Sequence, residues 1–88
     1  MASRTVEMKN KRGLHARASA RFVTLAAGLP AAVEVEKDGG RVCGTSIMGL
    51  MRLGAAMGDS ITIHAEGEGA DEALEALVAL VEDRFGEE

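Results

Sequence analysis

Ala31-Ala32-Val33-Glu34-Val35-Glu36-Lys37-Asp38-Gly39-Gly40-Arg41-Val42-Cys43-Gly44 decides the fold. Val33 and Val35 alternate with Glu34 and Glu36, so Ala31 to Glu36 is a strand with one face in a core and one in water. Lys37-Asp38-Gly39-Gly40 is its turn, since an Asp-Gly pair suits the positive φ angles of a tight hairpin. Arg41 to Gly44 is the returning strand, short enough to be an edge. Cys43 on it is expected to be a small packed side chain rather than a reactive thiol.

Upstream of the hairpin, Ser3 to Lys9 alternates as a half-buried strand, Val6 and Met8 on one side and Thr5, Glu7 and Lys9 on the other. Asn10 to Gly13 reads as a polar, basic loop. Ala16 to Ala27 reads as a helix, with Ala18, Phe22, Leu25, Ala26 and Leu29 on one apolar face. Gly28 and Pro30 stop it.

Downstream, Ser46 is an N-cap candidate for a short helix from Ile47 to Leu53, closed by Gly54. Ile47, Leu50 and Leu53 can face the core, while Met48 and Met51 point elsewhere. A helix this short cannot be buried all round, so some of Ile47, Met48 and Met51 should be exposed, and exposed methionine suits a docking surface. Ala55 to Asp59 is a loop. Ser60 to Glu66 is the clearest strand, with Ile61, Ile63 and Ala65 inward and Thr62, His64 and Glu66 outward. His64 is expected to be a plain exposed strand residue; no second histidine or clustered cysteine supports a metal site. After a Gly67 to Gly69 turn comes the longest helix, Ala70 to Phe85, with Leu74, Leu77, Val78, Val81 and Phe85 as its buried stripe. Gly86-Glu87-Glu88 is expected to be a frayed acidic tail. Strand, helix, strand, strand, helix, strand, helix implies an α+β two-layer sandwich with its helices on one face.

Eighty-eight residues suit one domain, 1–88, and 47% hydrophobic content suits a core that folds unaided. With two phenylalanines and no tyrosine or tryptophan, that core must be aliphatic. A single cysteine fits a reducing compartment. Without a long apolar run or a leader pattern, the expected location is the cytoplasm, with no membrane insertion. The net charge is −4, yet six of the ten basic residues lie in the first 21 positions: Arg4, Lys9, Lys11, Arg12, Arg17 and Arg21. Only Glu7 opposes them there. This basic end of an acidic chain suits an anionic ligand or an acidic partner. A nucleic-acid role fits poorly, because stacking aromatics are missing and the sequence pI is about 5.1.

Within the basic end, Gly13-Leu14-His15-Ala16-Arg17 puts a histidine at a helix start. Helix N-termini hold N–H groups without intrahelical partners and about half a positive charge, an anion site suited to phosphate. That end disfavours an imidazolium, and a neutral imidazole there can act as a nucleophile. Arg17 can hold phosphate oxygens with its planar guanidinium.

The two stretches Gly13-Leu14-His15-Ala16-Arg17 and Ser46-Ile47-Met48-Gly49-Leu50-Met51, the second running on to Leu53-Gly54-Ala55, resemble the two signatures of the HPr family. These are the histidine-containing phosphocarriers of the phosphoenolpyruvate-dependent phosphotransferase system. The resemblance covers essentially the whole chain. It implies an open-faced sandwich of a four-stranded antiparallel sheet and three helices. It implies that His15 carries a phosphoryl group on Nδ1, with Arg17 assisting, and that the N–H groups of Ala16, Arg17 and Ala18 bind phosphate. Enzyme I would be the donor and enzyme IIA proteins the acceptors, with no cofactor and the carrier a monomer. Ser46 would be the target of an HPr kinase. Partner docking would use Ile47, Met48 and Met51, ringed by Arg12, Arg17 and Arg21. Two positions depart from the family pattern. Ala18 stands where proline is usual, which leaves the first turn less fixed. Thr45 stands where lysine or asparagine is frequent, which bears on kinase recognition and hints at a nitrogen-regulatory branch. The rival reading is a regulatory docking module switched at Ser46.

Overall fold

In the computed structural model, which describes residues 2–87, the chain forms β1 (Ala2–Glu7), α1 (Ala16–Ala27), β2 (Ala32–Lys37), β3 (Gly40–Cys43), α2 (Ile47–Arg52), β4 (Ser60–Glu66) and α3 (Ala70–Glu82). A short 3-10 turn follows at Arg84–Gly86. The strands make one antiparallel sheet in the order β1-β4-β2-β3. The opening hairpin behaves as its sequence predicts: Lys37 pairs with Gly40, and the two residues between them, Asp38 and Gly39, have φ of 51° and 83°. Both central residues with positive φ give the turn whose twist matches the strands it joins.

Strand alternation sorts the sheet into two faces. Val6, Val33, Val35, Ile61, Ile63 and Ala65 are buried on one. All three helices pack there, delivering Ala18, Phe22 and Ala26 from α1, Leu50 from α2, and Ala73, Leu74, Leu77, Val78 and Val81 from α3. Fully burying a side chain of the Val, Leu, Ile or Phe class contributes about 1.5–3 kcal/mol, so this helix-covered face carries most of the stability. The open face carries polar pairs: Thr5 with Thr62 at 2.9 Å, Arg41 with Glu34 at 2.8 Å, and His64 Nε2 with Glu36 Oε1 at 2.8 Å. His64 therefore lies on the outward face as expected but is half-buried against a carboxylate rather than plainly exposed.

Three other expectations change. The first strand runs Ala2–Glu7, and Met8, just beyond it, is wholly buried. Cys43 is exposed, not packed; its Sγ lies 3.1 Å from Thr45 Oγ1, a hydrogen bond that lowers the thiol's pKa. Ile47, which spacing allowed inward and the shortness of α2 allowed outward, is 40% exposed as a docking residue should be, and Leu50 is the only residue of α2 that is buried. The last helix ends at Glu82, because Arg84, Phe85 and Gly86 all take positive φ (57°, 55° and 76°). That left-handed run turns the chain back so that Phe85 fills the core from the tail, still wholly buried.

Candidate functional site

The turn before α1 is fixed by one close approach. Gly13 has φ of 63°, and a Cβ there would lie 2.1 Å from the carbonyl oxygen of Ala55, so only glycine fits. Leu14 then donates its N–H to that carbonyl at 2.9 Å and buries its side chain. This ties the turn to the loop before β4 and leaves His15, in extended conformation, as the N-cap of α1. Ser19, fully buried, closes the first turn by donating its N–H to His15 O (2.9 Å) and its hydroxyl to Leu14 O (3.2 Å).

Both ring nitrogens of His15 are engaged. Nδ1 accepts the N–H of Arg17 at 3.3 Å. Nε2 lies 2.7 Å from Oε2 of Glu87. A ring nitrogen that accepts an N–H presents its lone pair, so with Nδ1 accepting, Nε2 is the nitrogen left to donate to the carboxylate. Glu87 is itself held, because its Oε1 accepts from Asn10 Nδ2 at 3.0 Å. The same Asn10 amide donates to Gly13 O at 2.8 Å. Both partners are acceptors, which fixes the orientation of the amide and leaves its buried Oδ1 without a partner. The Asn10 hydrogen bond, helped by the His15 contact and the Arg17 charge and opposed by desolvation, holds the Glu87 carboxyl below its ordinary 4.5. It is a carboxylate at neutral pH.

The sequence missed Asn10 and Glu87. The loop expected to be merely polar contains a wholly buried asparagine, and of the expected frayed tail Glu87 reaches the ring of His15, while Glu88 lies outside the described residues. Arg17 and Arg12 are exposed and, with Lys11 and Glu87, line a recess of about 340 Å³. Ala16 is exposed, whereas the methyl of Ala18 is in the core. Arg21 is less free than a rim cation should be: its guanidinium donates to the carbonyl of Phe85.

Ser46 caps α2 as its sequence predicts, with Oγ accepting the N–H of Gly49 at 3.0 Å. A Cβ on Gly49 would crowd Ser46 Oγ at 3.0 Å and Val42 at 3.1 Å, so glycine lets α2 sit close to β3. Beside the cap, Ile47, Met48 and Met51 are exposed by 40%, 62% and 40%. Met57, 57% exposed in the following loop, is a fourth large apolar side chain in solvent that the sequence reading passed over. Arg52 supplies a cation in the last turn of α2. Among the described residues, no helix is long and apolar enough to cross a membrane, and no cluster of three metal-ligating side chains occurs.

Comparison with known proteins gives a consistent result. The family described as PTS HPr component phosphorylation site matches residues 2–83. Phosphocarrier protein HPr of Pseudomonas aeruginosa is 46% identical over 88 residues, covering 99% of this chain and 98% of the relative. Phosphocarrier protein NPr of Shewanella violacea is 38% identical, with 96% and 92% covered. The crystal structure of HPr-C-His from Thermoanaerobacter tengcongensis superposes with a TM-score of 0.95 at 48% identity, covering 100% of this chain and 99% of that one.

Proposed function

The chain belongs to the HPr family of phosphotransferase-system components, and from that premise we propose that it carries a phosphoryl group on Nδ1 of His15. The observation that carries the reading is the ring geometry: Nδ1 offers its lone pair at the open end of α1 while Nε2 is engaged by a carboxylate. Phosphorylated enzyme I is the donor and an enzyme IIA histidine the acceptor. The protein acts in the cytoplasm as a monomer, without a cofactor.

Transfer between two imidazoles needs positioning and charge compensation more than covalent help. When phosphorus bonds to Nδ1, the Arg17 N–H loses its ring acceptor and turns to a phosphoryl oxygen. The N–H groups of Ala16 and Ala18 add donors, and the helix end favours the negative charge. The Arg17 side chain, exposed beside Glu87, closes on the phosphoryl oxygens and on acidic partner residues. Ile47, Met48 and Met51 form the apolar centre of the docking surface, with the exposed Arg12 and Arg17 at its rim and Arg21 tied back to the Phe85 carbonyl, an arrangement that suits a transient interface.

Ser46 is a regulatory phosphorylation site in this reading, recognised by an HPr kinase. A phosphate there would stand beside Met48 and Met51 and oppose an acidic partner, inhibiting by lost docking. Whether the carrier serves sugar uptake or a nitrogen-regulatory branch, the chemistry at His15 is the same.

The test is incubation with enzyme I and labelled phosphoenolpyruvate, with His15→Ala in parallel. The carrier reading expects an acid-labile, base-stable label on the native chain alone. A regulatory docking module would take no label at His15.

A further inference from the structure

We propose that Glu87 is a positioning residue for phosphoryl transfer, selecting the ring proton's place on His15 and facing the charge that forms there. The inference rests on the carrier reading and adds the part played by the tail. Glu87 Oε2 is 2.7 Å from His15 Nε2, and its Oε1 is tied to the amide of the wholly buried Asn10 at 3.0 Å. Phe85, wholly buried two residues earlier, anchors the tail, and Arg21 donates to its carbonyl. The carboxylate is thus held from both sides rather than resting on the ring by chance.

An imidazole has two neutral forms, and only one suits this site. With its proton on Nδ1, the ring would set N–H against the N–H of Arg17 and turn the remaining lone pair toward a carboxylate. With its proton on Nε2, both contacts are satisfied and the Nδ1 lone pair is the one a phosphorus atom can reach. The donor is a phosphorylated histidine of a partner protein. In the step, the Nδ1 lone pair forms the new N–P bond. The donor's P–N bond breaks, and its electron pair returns to the donor ring. The Nε2 proton does not move. His15 becomes a phosphorylated imidazolium, and the Glu87 carboxylate already faces the positive charge. The reverse sequence operates on delivery to the acceptor.

Glu87→Gln is a sharp probe because it is isosteric yet has one acceptor oxygen fewer. If its carbonyl takes the Asn10 amide, its NH2 meets Nε2 and favours the other neutral form of the ring. If its carbonyl takes Nε2–H, its NH2 faces the NH2 of Asn10. Glu87→Ala removes both contacts and leaves the ring to water.

The experiment uses the full chain with 15N-labelled histidine, phosphorylated by enzyme I and phosphoenolpyruvate. It records the 15N shifts of the two ring nitrogens, the transfer rate and the melting temperature. In the native chain, the proton should be on Nε2. Glu87→Gln should move it toward Nδ1 and slow transfer by about 5- to 10-fold, the loss expected for one misdirected hydrogen bond. Glu87→Ala should slow transfer less than Gln. A merely structural role predicts the opposite order, since Ala removes more contacts, and no change in ring proton position. Unchanged ring shifts and rate in Glu87→Gln, with the native chain still labelled, would overturn the proposal and leave the carrier reading standing. A native chain that takes no label would remove both.

Discussion

Two helix starts in this molecule are capped in the same way and equipped for different tasks. At α1 the cap is His15, accepting the N–H of Arg17 at 3.3 Å; at α2 it is Ser46, accepting the N–H of Gly49 at 3.0 Å. Each satisfies one of the N–H groups that a helix start leaves without a partner. The difference lies on the far side of the cap. His15 has Glu87 at 2.7 Å on its second nitrogen and a recess lined by Lys11, Arg12 and Arg17 nearby. Ser46 has exposed Ile47, Met48 and Met51 in the helix it starts, and its helix spans six residues against twelve for α1. Capping by itself is a structural service. A carboxylate behind the ring and cations beside it set the His15 cap apart, and an exposed apolar surface sets apart the Ser46 cap; the roles proposed for the two caps rest on that difference.

Several experiments would break or sharpen that contrast. His15→Ala should abolish labelling by enzyme I, while losing only about 1 kcal/mol of stability for the missing cap. Melting curves beside the labelling assay check both halves. Arg17→Glu should slow transfer by about 100-fold, because it replaces a cation with a repelling charge next to the phosphoryl group. An unchanged single-turnover rate would remove the role given to Arg17.

At the other cap, Ser46→Asp should leave the melting temperature unchanged or slightly higher, since a helix start favours negative charge by about 0.3–1 kcal/mol. The same variant should weaken affinity for enzyme I and slow His15 phosphorylation by about tenfold, through lost docking. Equal affinity by titration calorimetry would leave Ser46 a plain cap. A collapsed melting temperature would instead make it a folding residue.

The smallest effect concerns pH. Glu87 has a carboxyl pKa below its ordinary 4.5 in the folded chain, chiefly from the Asn10 hydrogen bond. A group depressed on folding contributes stability that is full above its unfolded pKa and is lost as pH falls through the lowered folded value. The melting-temperature difference between the native chain and Glu87→Gln should therefore be constant near neutral pH and shrink below about pH 4.5. A difference that grew on acidification would have the wrong sign.

What the sequence made legible follows from how local each signal is. The hairpin turn, the strands of period two and both caps were readable because each depends on residues within a few positions. The end of α3 was not. Gly86 announces a left-handed residue, but nothing local says that Arg84 and Phe85 adopt positive φ as well. Phe85 was placed in the core correctly and for the wrong reason, as a helical stripe residue rather than an anchor of the tail. For Ile47, spacing allowed an inward place and the shortness of the helix an exposed one; the six-residue helix turns only one residue, Leu50, fully inward. Asn10 and Glu87 were invisible as a pair. They sit at opposite ends of the chain, and neither belongs to a periodic element. His15 was legible as a helix cap from five residues; its contact with Glu87 required the whole fold.

The central claim is that His15 takes phosphorus on Nδ1 because its proton is held on Nε2. Combined 31P and 15N NMR of the chain, phosphorylated by enzyme I and phosphoenolpyruvate, tests it most directly. The account predicts a single phosphoryl group whose phosphorus couples to Nδ1 of His15, with the Nε2 proton retained. Coupling to Nε2, phosphate on another residue, or no incorporation would contradict it.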